Sequence, residues 1–205
     1  MSTAKYVILS VILTIFFLGI AGCGGLTKPA VTKRYYDIGP QRTNQVQAAP
    51  SDQTLTVRRL RVSPMNAGRE LVYKTSDTGY DSDFYNAYFI PPGDMLSQAL
   101  RRWLHATGLF AHVVEPASLV RGDLVLEGNV VALYGDFTGS GEAVAELQFI
   151  LVDEGTAETA ILFSKDYSKR IPLSQRTPEA LAAGLKQAMA EVFAELEADL
   201  ASALP

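Results

Sequence analysis

The sequence predicts an α+β domain: a mostly antiparallel sheet with two amphipathic helices packed on one face. Three observations predict it. Two segments, one around Trp103 and one closing the chain, repeat apolar residues at helical spacing. Before and between them lie short β-branched and aromatic stretches cut by glycine, proline and polar turns. The last three stretches follow one another closely, as in an antiparallel meander. A sheet covered on one side by two helices buries all of these apolar surfaces together.

The first element is an export signal. Lys5 precedes an apolar run from Tyr6 to Ile20, too short to span a membrane comfortably, and small residues follow it. Ile20-Ala21-Gly22-Cys23 resembles the lipobox, in which the cysteine sulfur takes a diacylglycerol and the signal is cut just before it. Cys23 is the only cysteine, so the mature chain forms no internal disulfide and relies on its core. Residues 1–22 are thus expected to be a lipoprotein signal peptide and 23–32 a lipidated tether, with the domain over 33–205. Several acyl chains on one cysteine make a firm anchor, since each buried methylene contributes ~0.8 kcal/mol. Gly24, where an aspartate tends to retain lipoproteins at the inner membrane, favours the outer membrane.

Composition narrows the partners. The chain carries 18 Lys and Arg against 22 Asp and Glu, a net charge of −4. Removing the signal takes away Lys5 and leaves −5. Such a surface argues against nucleic acid as a partner and against electrostatic binding to anionic lipid.

The domain begins with a strand over 33–38, closed by Gly39-Pro40, and a polar loop over 41–53. Residues 54–62 form a strand whose alternation changes phase: Leu55 and Val57 lie on one face, Leu60 and Val62 on the other. The slip at Arg58-Arg59 predicts a bulge that turns an arginine outward. Residues 69–74 are strand-like, 75–83 a polar turn, and 84–90 an aromatic strand stopped by Pro91-Pro92. In a regular strand Phe84 and Tyr88 share one face, Tyr85 and Phe89 the other.

The first helix is expected over 92–107, with Met95, Leu96, Ala99, Leu100, Trp103 and Leu104 in its stripe and Gly108 ending it. A short strand at 110–114 precedes the meander: 123–134, 142–153 and 159–167. The closing helix starts at Thr177, a capping residue, followed by Pro178 and Glu179. Its stripe is Leu181, Leu185, Ala188, Met189, Val192, Leu196 and Leu200.

No catalytic constellation accompanies these elements. His105 and His112, the only histidines, lack any nucleophile turn nearby. Asp77, Asp81 and Asp83 read as a solvated turn, without metal-binding spacing. Residues 135–141 are glycine-rich but lack the lysine of a phosphate loop, and read as a hairpin connection. No cofactor is expected. The aromatic stretch is different: one of its pairs is left to be covered or to meet a partner, which makes Tyr85, Tyr88 and Phe89 the candidate partner-binding residues.

The order of motifs resembles the ABC-type transport auxiliary lipoprotein family. The matching features are Cys23 in its lipobox, Tyr35-Tyr36-Asp37-Ile38 and Arg69-Glu70-Leu71-Val72-Tyr73. Then come Tyr85-x-x-Tyr88-Phe89-x-Pro91-Pro92 with Met95, Leu96 and Leu100, and late Leu124-x-Leu126-x-Gly128 and Ala145-x-Leu147-x-Phe149 strands. Where the family usually has a tryptophan before the prolines, this chain has Tyr88-Phe89. The resemblance implies a non-enzymatic lipoprotein on the periplasmic face of the outer membrane. It would dock the substrate-binding subunit of a mammalian-cell-entry (Mce-type) ABC transporter, which moves lipid or other hydrophobic molecules between the two membranes. Ring assembly is known in the family, so the resemblance also implies a homo-oligomer. A second reading is a lipid-binding or lipopolysaccharide-assembly lipoprotein that carries ligand in its own groove between sheet and helices.

Overall fold

The computed structural model describes residues 32–43, 51–155 and 159–204. The signal peptide and nearly all of the tether lie outside the described residues. No described helix is long and apolar enough to cross a membrane.

Among the described residues, nine strands form one curled mixed sheet. In chain order they are β1 (Arg34–Tyr36), β2 (Ser51–Val57), β3 (Arg61–Val62), β4 (Glu70–Lys74), β5 (Tyr80–Tyr88), β6 (Phe110–Val114), β7 (Leu124–Asp136), β8 (Glu142–Asp153) and β9 (Ala160–Pro172). Helix α1 (Pro92–Thr107) lies between β5 and β6, and α2 (Pro178–Ala203) follows β9. The long strand β7 organises the sheet. On one side it pairs antiparallel with β8 along its whole length, and β8 pairs antiparallel with β9. On the other side three short strands meet it in succession, all parallel: β2 at Leu124–Leu126, β3 at Asn129–Val130 and β4 at Gly135–Asp136. From there β2 carries β6 in parallel, while β4 carries β5 antiparallel and β5 carries β1 in parallel.

The fold is therefore the expected α+β sheet with two helices. Its long pairings are antiparallel, and the short ones on the other flank of β7 are mostly parallel. Parallel partners need long crossovers and leave no local signature, so the sequence shows the strands but not these pairings.

The predicted slip is real. Between Val57 and Arg61 the chain spends one residue more than β7 does between Leu126 and Asn129, which splits the expected strand into β2 and β3. Arg58 and Arg59 both turn to solvent there and pair with Glu127 and Asp94. Leu60 drops into the core, its N–H donating to Ser97 Oγ at 2.8 Å.

Both helices form as their stripes require. Gly108 closes α1 with φ 67°, a left-handed conformation that costs glycine little. Thr177 caps α2 by accepting a hydrogen bond from the Ala180 N–H at 3.2 Å, and every residue of the predicted α2 stripe is fully buried. Against them stand Ala143, Ala145, Leu147, Phe149 and Leu151 of β8, all in the same core cluster. Each large side chain so buried contributes about 1.5–3 kcal/mol against conformational entropy. Gly128 of β7 has neighbouring side chains packed where a Cβ would stand. A Cβ there would lie 2.3 Å from Leu60 Cδ2 and 2.7 Å from a ring carbon of Phe149.

Ionic contacts tie the helices down. Arg42 and the Trp103 indole N–H of α1 both donate to Glu197 of α2, at 2.8–3.0 Å. Strand β9 runs five residues past its expected end at Tyr167, paired with β8 to Pro172, and its helix-facing charges are partnered: Lys165 pairs with Asp199 and Lys169 with Glu195.

Candidate functional site

Strand β1 is the outer edge of the sheet, and β5 is its neighbour. Sequence alternation alone would give β5 two clean faces. It does not have them. One step on β4, from Glu70 to Leu71, corresponds to four on β5, from Ala87 to Asp83. Phe84, Tyr85 and Asn86 are the surplus and form a wide bulge.

Asp83 builds that bulge. Its Oδ1 accepts the backbone N–H groups of Tyr85 (2.8 Å) and Asn86 (3.0 Å). Its Oδ2 accepts the Tyr73 hydroxyl (2.7 Å) and the Asn86 side-chain amide (2.9 Å). Burial would raise the Asp83 carboxyl, but these four donors outweigh it and hold it below its ordinary value. Burial, and then the adjacent carboxylate, push the Tyr73 hydroxyl well above its usual range. The network continues outward. Tyr36 Oη lies 3.0 Å from Asn86 Oδ1 and 3.1 Å from Glu179 Oε1, and Glu179 also pairs with Arg34. The first turn of α2 is thereby coupled to the bulge through β1.

The bulge decides which rings face out. Phe84 is 64% exposed, Tyr85 46% and Phe89 66%, and Tyr35 of β1 joins them at 49%. Tyr35 and Phe89 meet edge to face with centroids 6.2 Å apart, as do Phe84 and Tyr85 at 5.2 Å. Two cations lie over these rings: Lys33 Nζ is 3.9 Å from the Phe84 centroid, and the Arg69 guanidinium 5.1 Å from that of Tyr35.

Of the predicted contact residues, Tyr85 and Phe89 are on this surface and Tyr88 is not. Tyr88 is 2% exposed and belongs to the main core, where only a buried side chain would fit. Phe84, expected to share its face, is exposed because the bulge breaks the alternation between them. The sequence reading also missed Tyr35, Lys33 and Arg69. A signal for the bulge did exist: Asp83 followed by Asn86 is an Asx-turn pattern inside an aromatic run. The segment expected as one polar turn is a turn only near residues 75–79, and Asp81 and Asp83 lie within β5.

The buried Tyr88 hydroxyl has no hydrogen-bond partner among the described residues. Leaving a buried hydroxyl unpaired costs about 1–3 kcal/mol. Tyr88→Phe is therefore expected to equal or exceed the wild type in stability, by up to ~1 kcal/mol. Thermal unfolding checks this. A clear loss would mean that the hydroxyl has a partner.

Other candidates have ordinary settings. His105 on α1 and His112 on β6 are exposed. Among the described residues no group of three His, Cys, Asp or Glu side chains could hold a metal ion. Cys23 lies outside the described residues.

The fold and this edge define an α+β domain that presents exposed rings and cations along one sheet edge. A family model described as the ABC-type transport auxiliary lipoprotein component matches residues 36–197, and the chain belongs to that family. Family membership makes it an auxiliary lipoprotein of an ABC transport system, in the cell envelope. No curated protein matches the sequence. Among solved structures, protein XCC0632 from Xanthomonas campestris, assigned to the DUF330 family, aligns with TM-score 0.73 at 20% identity, over 83% of this chain and 95% of that one. An uncharacterized protein aligns with TM-score 0.66 at 19% identity, over 82% and 99%. The hypothetical protein CT253 from Chlamydia trachomatis aligns with TM-score 0.50 at 9% identity, over 72% and 96%. These likenesses speak to the fold alone.

Proposed function

We propose that the chain is the non-enzymatic auxiliary lipoprotein of an Mce-type ABC system that moves lipid or other hydrophobic molecules between the two membranes. Cys23 carries the acyl chains. The domain sits on the periplasmic face of the outer membrane, docks the substrate-binding Mce subunit and works as a homo-oligomer. Tyr85 and Phe89 remain contact residues of the domain, and Tyr88 leaves that set.

The observation that carries this reading is the match of the family model over residues 36–197, nearly the whole domain. The carrier alternative needs an internal groove, and the space between sheet and helices is filled by Leu100, Leu104, Phe149, Leu185 and Met189, all fully buried. A cleft of about 240 Å³ lies instead along β8 and β9, lined by Val131, Glu146, Gln148, Asp166 and Ser168 among others.

Cys23→Ala tests the role. The variant is expected to leave the outer-membrane fraction and to lose transport in cells, while the purified protein still captures the Mce subunit. A variant that stays in the outer membrane would refute the anchor. A wild-type protein that captures no Mce subunit would refute the partner. Native mass spectrometry of the domain is expected to show no retained lipid, and retained lipid would favour the carrier.

A further inference from the structure

We infer that the aromatic edge is a membrane-facing surface: Tyr35, Phe84, Tyr85 and Phe89, with Lys33 and Arg69, rest on an anionic phospholipid surface and orient the anchored domain. The inference rests on the anchoring proposed above and goes beyond it by naming what the edge touches.

Two observations choose lipid over protein. The first is position. Lys33 begins the domain, only ten residues after Cys23. At about 3.3–3.6 Å per residue, a fully extended tether reaches roughly 35 Å. The chain enters the domain beside β1, so the leash starts from the face that carries these rings. Strand β7 runs the other way from there: its far end, at Leu124, follows the loop that carries Leu119 and Val120.

The second is chemistry. Aromatic rings with a polar or cationic companion belong at the headgroup level, where one end meets acyl chain and the other water or phosphate. Lys33 and Arg69 lie against the rings of Phe84 and Tyr35; neither forms an ion pair with a carboxylate among the described residues, and Arg69 Nε also donates to the Tyr88 carbonyl at 3.1 Å. Their charges are therefore available to phosphates while their stems and the rings share one apolar surface. Asp83, next to Phe84, is turned inward by its four hydrogen bonds, whereas Glu70, next to Arg69, is exposed, so the two cations act locally and against the net charge of the chain. A protein strand would find a poor template here, because the edge strand β1 is three residues long and carries Arg34.

The sole cysteine makes the test independent of how the cell treats the chain. The mature chain is coupled through Cys23 to a maleimide-headgroup lipid in vesicles of phosphatidylethanolamine and phosphatidylglycerol containing brominated acyl chains. Two variants, Phe89→Trp and Leu119→Trp, each add one exposed indole to the buried Trp103. The added emission at position 89 is expected to be strongly quenched by the brominated lipid, and that at 119 to remain. Lys33→Glu with Arg69→Glu is expected to relieve the quenching at 89, and so is replacing phosphatidylglycerol by phosphatidylcholine at raised salt. Equal quenching at both positions would mean that the domain does not settle on one face, and overturns the inference. So would an unquenched Trp at 89, including the case where it becomes shielded only when the Mce subunit is added, which would give the edge to the protein partner. Natural lipidation of Cys23 is read separately, by mass spectrometry of the protein from cells, so failure there leaves this result standing.

Discussion

Glu197→Ala is expected to cost the domain about 2–3 kcal/mol, read as a lower denaturant midpoint at neutral pH. Glu197 accepts from Arg42 and from the Trp103 indole, and the paired side chains are only 10% and 23% exposed. Losing the carboxylate deprives both donors of an acceptor in a region little open to water. That is costlier than losing a surface ion pair, which contributes ~0–1 kcal/mol, and somewhat cheaper than breaking a fully buried one. Trp103 lies edge to face with Phe193, centroids 5.8 Å apart, so its emission reports the same loosening between α1 and α2. An unchanged midpoint would remove Glu197 from the list of contacts that hold the helices together.

The pH dependence of this contact has a definite sign. Burial alone would raise the Glu197 carboxyl, but the bonds from Arg42 and Trp103 prevail and lower it from its ordinary 4.5. A carboxyl lowered in the folded state stabilises the fold fully above the unfolded value and loses that contribution as pH falls through the folded one. The stability gap between wild type and Glu197→Gln is therefore expected to stay flat from about pH 7 to 5 and to shrink below about 4.5. A gap that widens in acid would contradict the assignment. Asp83, Asp94 and Asp199 are lowered in the same direction, so overall acid lability has several sources and only the difference isolates Glu197.

Asp83→Ala is expected to act on shape as well as stability. Four donors lose their acceptor at once, and the site is half-buried, so a loss of about 2 kcal/mol follows. Without the carboxylate the surplus residues Phe84, Tyr85 and Asn86 lose the hydrogen bonds that shape their bulge. Backbone chemical shifts of residues 83–89 are expected to change, and the rings to lose their fixed presentation, with Asp83→Asn intermediate. Shifts confined to residue 83 itself would show that the bulge is held by packing rather than by this hub.

These residues also show what was legible beforehand. The helices were, down to Gly108 and Thr177, because spacing and caps are local. The slip at Arg58-Arg59 was, because a phase change in alternation is local too. Strand β9 was expected to end at Tyr167 but runs to Pro172, and Lys165 and Lys169 occupy helix-facing positions in it where a core strand would carry apolar residues. They are tolerated there because Asp199 and Glu195 of α2 meet them, a match between distant segments. The aromatic edge was half legible. Composition pointed to Tyr85 and Phe89, but Tyr88 was misplaced because the three-residue bulge is set by hydrogen bonds to Asp83 rather than by ring spacing. Tyr35 and Arg69 join the edge only through the pairing of β1 with β5 and the turn before β4, which no short window contains.

The way β7 gathers its partners has a further consequence, in the order of assembly. Val57 pairs with Leu126, 69 residues later, and Tyr73 with Gly135, 62 residues later. Loops of that length close slowly, and structures dominated by such distant pairings have high contact order. The meander of β7, β8 and β9, by contrast, needs only short connections. Polypeptides emerge from the ribosome, and thread through a membrane, amino end first. Strands β2, β3 and β4 therefore reach a new compartment with their hydrogen-bonding edges open, and must wait until residues 124–136 arrive to close them.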